Sequence, residues 1–231
     1  MSTSTTVPNH IGIILDGNRR WAKNKGLPTL EGHRAGAENI NRIAELAFDR
    51  GVNYLTVYVF STENWKRSKE EIGYLMGLMP ILFKKNIKTL IEKGVRVHWL
   101  GNHDNLAQRE IKLVESAVEK TKHLNKGHLC FCFNYGGQQE IVDACKKLVQ
   151  NGVSADEITT ESLQAELYSP EIPNVDLIIR TSGEQRISNF MLWRAAYSEL
   201  LFVDKHWPDF SEQDFDTAME NYAQRQRRFG C

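Results

Sequence analysis

Short β-branched or aromatic runs alternate with stretches whose apolar residues recur every three or four positions, and the alternation continues into the C-terminal region. The runs predict strands at 10–15, 54–60, 95–100, 128–134, 175–180 and 200–204. Helices are predicted near 18–25, 34–50, 69–93, 104–123, 138–151, 160–168 and 212–228. Punctuation supports several of these boundaries: Arg50 precedes Gly51, Lys93 precedes Gly94, and Ser68 with Glu71 forms a capping box. Strand and helix alternating in this way predict an α/β fold, a mainly parallel six-stranded sheet flanked by helices on both faces. With no linker and no repeat, residues 1–231 read as one domain.

The helix at 69–93 has Ile72, Leu75, Met76, Met79, Leu82, Phe83, Ile87, Leu90 and Ile91 at helical spacing, with Pro80 in the middle to bend it. About 25 residues make a rod of about 37 Å. It reads either as an ordinary core helix or as one wall of a long apolar pocket.

Charge narrows the functional classes. The 29 Lys and Arg balance 29 Asp and Glu, so the surplus of positive charge that nucleic acid or an anionic membrane selects is absent. No apolar run approaches the roughly 18 residues needed to span a bilayer, and the first residues lack a basic-then-apolar leader; the chain reads as cytoplasmic. Cys130 and Cys132 lie two apart in an apolar run and read as buried thiols on one strand face. The zero charge is unevenly composed: of 14 arginines, six lie in residues 1–67 and six in 180–231, whereas 12 of 15 lysines fall between Lys66 and Lys147. Planar phosphate-binding forks are thus concentrated in the end segments.

In open α/β sheets ligands bind beyond the carboxyl ends of strands, and three such ends carry chemistry. The first strand runs into Asp16-Gly17-Asn18-Arg19-Arg20-Trp21, a set that suits a multiply charged phosphate at a helix start. Asp16 would oppose that anion unless a divalent cation lies between them, and Mg²⁺ with a diphosphate resolves the conflict. A turn aspartate that caps the helix is the alternative. After the second strand, Ser61, Thr62, Glu63, Asn64, Trp65 and Arg67 could hold a polar head group at the mouth of an apolar pocket, or could form a plain serine/threonine turn. After the fifth, Arg180, Arg186, Ile187 and Ser188 form a second anion loop. Glu199 offers a further hard oxygen ligand, and His33 a donor or proton relay beside its structural reading.

The blocks His10-Ile-Gly-Ile-Ile-Leu-Asp16-Gly-Asn-Arg-Arg-Trp-Ala, Gly32-His33-Arg-Ala-Gly, Phe60-Ser-Thr-Glu-Asn-Trp, Asn134-Tyr-Gly-Gly and Ile179-Arg-Thr-Ser-Gly-Glu-Gln-Arg-Ile-Ser-Asn-Phe, with Trp207-Pro-Asp-Phe and Arg227-Arg-Phe-Gly, follow in order along nearly the whole chain. Together they resemble the cis-prenyltransferase family. That resemblance implies an Mg²⁺-dependent transferase that condenses isopentenyl diphosphate with an allylic diphosphate, farnesyl or geranyl, to a Z-polyprenyl diphosphate. The product expected is undecaprenyl diphosphate, with a short-chain product as the alternative; bulk at Val59, Phe131 and Phe133 near the tunnel would shorten it.

By the same analogy Asp16 engages metal and the departing diphosphate, which Gly17, Asn18, Arg19, Arg20 and His33 cradle. Arg180, Arg186 and Ser188 hold isopentenyl diphosphate. Asn64 falls at the family's proton-acceptor position, where a neutral amide suits relay or orientation better. Trp65 and Arg67 shape and charge the mouth, Glu199 completes the metal site of the neighbouring subunit in a homodimer, and the long helix walls an apolar product tunnel. The Arg228-Phe229-Gly230 ending could reach the partner's active site, and peripheral membrane contact for product release is left open. One departure stands out: Thr29 replaces the arginine that contacts the allylic diphosphate in many members, and Arg19 is the candidate to compensate.

Two other enzyme classes fit less well. A haloacid-dehalogenase-type phosphatase needs a second aspartate two residues from the nucleophile, and Ile14 and Asn18 occupy those positions. Trans-prenyltransferases need aspartate-rich helices, and the chain has no Asp-Asp pair. The non-enzyme alternative is an accessory subunit of a heteromeric prenyltransferase.

Overall fold

The computed structural model describes residues 7–225, except for the side chains at 79 and 81–86. Met79, Leu82 and Phe83 of the long-helix pattern, the last residues of the helix expected at 212–228, and Arg227 to Gly230 therefore lie outside the described residues.

Six strands form one parallel sheet: β1 (His10–Ile14), β2 (Tyr54–Ser61), β3 (Val95–Leu100), β4 (Gly127–Tyr135), β5 (Leu177–Arg180) and β6 (Glu199–Phe202). Their spatial order is β3-β4-β2-β1-β5-β6. The helices are α1 (Asn18–Asn24), α2 (Thr29–Asp49), α3 (Lys69–Glu92), α4 (Gln108–Thr121), α5 (Gly137–Gln150), α6 (Thr160–Ala165) and α7 (Glu212–Ala223). All the predicted elements exist, with shifted ends. Helix α2 begins five residues earlier than expected, because Pro28 sits as its N-cap and presets the turn. Helix α4 begins four residues later, because the Asn134 side chain, its backbone at φ 53°, holds the Asn102 to Asp104 turn. The sixth strand is 199–202 rather than 200–204.

Alternate strand residues serve two cores, as the period of two requires. Ile11, Ile13, Leu55, Val57, Leu177 and Ile179 are buried with Ile43 and Ala47 of α2 and Phe215 of α7. On the other face Ile14, Cys130, Cys132, Ile178 and Phe190 pack together. The two cysteines are thus buried as expected, and burial pushes the Cys130 thiol up to about 12. Helix α3 places Met76 among Phe60, Val97 and Phe133, whereas Ile91, expected on its apolar face, is 37% exposed. No helix of the described residues is long and apolar enough to cross a membrane.

Register positions the site. Ile14 lies opposite both Tyr58 of β2 and Arg180 of β5. The segments that leave these three strands therefore emerge side by side at the carboxyl edge of the sheet.

Candidate active site

Those segments, with α2, α3 and β4, line a cavity of about 630 Å³ that has both polar and apolar side chains. Of the predicted residues, Asp16, Asn18, His33, Ser61, Glu63, Asn64, Arg67, Arg180, Arg186 and Ser188 line it. Ile40, Val59, Phe60, Leu75, Leu78 and Phe133 supply its apolar part. Leu75 and Leu78 come from α3, so that helix is both core element and cavity wall.

Asp16 follows β1 directly, and its carboxylate is held from three sides. Arg180 Nη2 donates to Oδ2 at 2.8 Å, the Gly17 amide donates to Oδ1 at 2.7 Å, and Arg20 lies 3.4 Å away. The carboxylate therefore does not cap α1; Gly17 is the N-cap, and no side chain caps that helix. Gly17 has φ 101°, and a Cβ there would lie 2.7 Å from Ser182 Oγ and 2.8 Å from His206 Nδ1, so only glycine makes this turn. Burial alone would raise the Asp16 pKa, but the hydrogen bond and charge of Arg180, with Gly17 and Arg20, hold it below the usual carboxylate value. It stays ionised at neutral pH.

Arg180 ends β5 almost fully buried. Its Nη1 donates to Ser188 Oγ at 2.7 Å and to the Arg186 carbonyl, while its Nε is buried without a partner. The loop that wraps it puts Ser182, Ser188, Asn189 and Met191 at positive φ, a cluster of strain of the kind stored at functional sites. Arg20 and Arg186 both pair with Glu184, whose pKa falls chiefly through Arg186. Helices α1 and α2 meet closely: a Cβ on Gly32 would fall 2.0 Å from the Asn18 carbonyl oxygen, which brings His33 to the cavity. Asn18 Oδ1 is buried and unpartnered.

After β2, Ser61 and Asn64 cap a short 3-10 helix reciprocally, so the serine-turn reading holds for their local geometry even though both line the cavity. The Asn64 carbonyl oxygen accepts from the Ser61 amide at 3.1 Å, which leaves its NH₂ to meet a ligand. Glu63 accepts from Asn189 at 2.9 Å and joins the second loop to the fifth. Trp65 turns inward: its indole donates to Asn134 Oδ1 at 2.7 Å and its ring packs edge-on against Phe60. It supports the cavity floor from behind.

Gly17, Arg19, Arg20, Trp21, Thr62, Trp65 and Ile187 are close to the cavity in sequence but are not among its lining residues. Trp21 leaves its indole N–H buried and unpartnered, with Lys25 over its ring. Glu199 pairs with Leu177, three rungs below Arg180 on β5, and its carboxylate accepts from Arg225. Within one chain it stands at the opposite end of the sheet from Asp16. Polar residues at the site that escaped the sequence reading include Glu71, Glu184, Asn134 and Asn189. The last three lay inside quoted blocks but had no assigned role, and Glu71 read only as a helix cap.

For Mg²⁺, one accessible carboxylate is an adequate protein ligand when phosphate oxygens supply most of the shell. Asp16, its side chain 29% exposed and ionised, fits that role. Among the described residues no three His, Cys, Asp or Glu side chains form a cluster that would hold a metal without substrate.

Together the parallel sheet, two arginine-bearing loops and the cavity define an α/β protein whose site combines cationic and apolar side chains. Residues 14–230 match the family model described as "Putative undecaprenyl diphosphate synthase". An isoprenyl transferase of Thermotoga maritima is 46% identical over 227 residues, covering 97% of each chain. A Thermobifida fusca trans,polycis-polyprenyl diphosphate synthase, described as (2Z,6E)-farnesyl diphosphate specific, is 46% identical over 97% of this chain and 81% of its own. The crystal structure of lavandulyl diphosphate synthase from Lavandula x intermedia, in complex with dimethylallyl diphosphate, superposes with a TM-score of 0.93 at 33% identity, covering 97% of this chain and 99% of that one. The chain belongs to the undecaprenyl diphosphate synthase family of isoprenyl transferases.

Proposed function

We propose that this prenyltransferase condenses isopentenyl diphosphate with an allylic diphosphate to give a Z-polyprenyl diphosphate of the undecaprenyl type. The observation that carries the reading is that two cationic loops, after β1 and β5, meet at Asp16 and Arg180 over one apolar-floored cavity. In this reading the allylic C–O bond breaks and diphosphate leaves with the electron pair. The double bond of isopentenyl diphosphate then forms the new C–C bond, and a proton passes to the released diphosphate or to water, which leaves the Z double bond.

Asn18, Arg19, Arg20 and His33 receive the departing diphosphate, while Arg180, Arg186 and Ser188 hold that of isopentenyl diphosphate. Mg²⁺, held by Asp16 and substrate oxygens, would neutralise charge on the leaving group. Asn64 orients the reacting end through its NH₂, because its carbonyl oxygen is already taken by Ser61. The apolar residues of α3 and the cavity floor guide the growing chain into a tunnel. In the homodimer of this reading a second copy would pack near the β6 edge, where Leu200 and Tyr197 are exposed, and Glu199 would serve the neighbouring site.

Product length has a second reading, favoured by Val59 and Phe133, which line the cavity and whose bulk suits a shorter product; Phe131, expected beside them, packs against the core instead of lining the cavity. Purified protein given isopentenyl diphosphate, farnesyl diphosphate and Mg²⁺ is expected to turn over without an added partner, with labelled products run against standards. No turnover without a partner would favour the accessory-subunit alternative. A product well short of the undecaprenyl standard would favour the short-chain one.

Thr29 begins α2, and Arg19 reaches from α1 toward the carboxylate that His33 and Arg67 share. This placement supports Arg19 as the substitute for the missing arginine. Arg19→Ala is expected to raise the allylic KM by about tenfold, the scale of one exposed charge-assisted contact, with the KM for isopentenyl diphosphate little changed. An unchanged allylic KM would remove the compensation.

A further inference from the structure

The capping box predicts that the Glu71 carboxylate folds back onto the Ser68 backbone. Only half of the box forms: Ser68 Oγ accepts from the Glu71 amide at 3.2 Å, and the carboxylate points elsewhere. Its Oε1 lies 2.8 Å from Arg67 Nη1 and 3.2 Å from His33 Nε2, and its Oε2 lies 3.5 Å from Arg19 Nη1. The side chain is 13% exposed. Three groups from α1, α2 and the β2–α3 segment thus converge on one carboxylate that the helix cap does not require. Two of them, Arg19 and His33, receive the departing diphosphate in the function proposed above and Arg67 charges the mouth beside them; the inference rests on that reading.

We propose that Glu71 is an internal counter-anion, which occupies the cationic cradle between turnovers and sets its affinity for the departing diphosphate. The cradle accepts a phosphate only in the fraction of molecules whose carboxylate has swung away. The observed dissociation constant is the intrinsic one divided by that fraction. A diphosphate, with more charge and more oxygens than a carboxylate, wins the competition when bound as substrate. Once the prenyl chain has left it, the free diphosphate competes against a carboxylate tethered beside the site, and its release is favoured. Asp16 differs in that its partners are Arg180 and Arg20, and it shares none of the three groups that hold Glu71.

An internal competitor weakens every anion that needs the cradle by the same factor, which gives the proposal a distinctive signature. Isothermal titration of the full chain in metal-free buffer compares inorganic phosphate and inorganic pyrophosphate binding to the wild type and Glu71→Gln. The variant is expected to bind both about fivefold tighter, the scale set by releasing a few partly exposed ion pairs. Glu70→Gln, one residue away on the exposed face of the same helix turn, removes the same charge and is expected to change neither constant. Equal tightening by Glu70→Gln would make the effect one of bulk charge, and weaker binding by Glu71→Gln would make Glu71 an organiser of the cations; either overturns the proposal. If thermal melting shows that Glu71→Gln is unfolded, Glu71→Asp, whose shorter arm loses reach to His33 and Arg19, is expected to tighten both anions by a smaller equal factor, and no tightening overturns the proposal. If the wild type binds pyrophosphate no better than an Arg67→Ala variant does, the diphosphate reading of the cradle fails instead.

Discussion

Asp16→Asn is expected to lower kcat by about 10³, the upper range for removing one preorganised charge from a reacting centre. The substitution keeps the shape of the side chain and its acceptance of the Gly17 amide but removes the negative charge. In the proposed mechanism two functions go with that charge: a hard oxygen for Mg²⁺ and the partner that fixes Arg180, whose Nη2 lies 2.8 Å away. Incorporation of labelled isopentenyl diphosphate measures the loss, and an unchanged melting temperature shows that the fold survives. Activity within tenfold of wild type would remove Asp16 from the mechanism.

The second large effect concerns stability. Arg194 and Glu140 are both almost fully buried and meet at 2.7 Å. Further hydrogen bonds hold both groups: Glu140 also accepts from Tyr135 Oη and the Tyr168 amide, and Arg194 donates to the carbonyls of Tyr168, Ser169 and Ile172. Glu140→Gln would leave a guanidinium uncompensated in the interior, at a cost of about 3–5 kcal/mol. For a chain of this size that lowers the melting temperature by roughly 10 °C. The double replacement Glu140→Leu with Arg194→Met removes both charges and is expected to cost much less. Calorimetry of the two variants decides; equal losses would mean that the pair acts through shape alone.

Periodicity carried most of the fold because it records which face of each element is buried, and that is what a two-layer packing reads. Strand order was not legible: an alternating pattern says parallel, but β1 sitting between β2 and β5 depends on how long crossovers pack, which no local signal encodes. The site was legible where chemistry sits next to a strand end, as for Asp16, Asn64 and Arg180. It was hidden where a side chain chose between partners. Glu71 matches a helix cap in sequence, yet two guanidinium groups and an imidazole outcompete one backbone amide. Arginine clustering was a mixed guide for the same reason. Arg19, Arg20, Arg67, Arg180 and Arg186 gather at the site, whereas Arg50 closes onto Glu212 and Asp216 far along the chain and Arg194 serves the interior.

The place of β1 has a consequence for how the chain is made. Its residues pair with β5, and Asp16 waits for an arginine 164 positions later in the sequence. A nascent chain therefore carries one open, apolar strand edge through about three quarters of its synthesis, and contacts of such separation form slowly. Fragments that end before β5 would lack the Asp16–Arg180 pair and be prone to associate through that edge, so the pairing that brings these two residues together also guards the finished protein against its own unfinished copies.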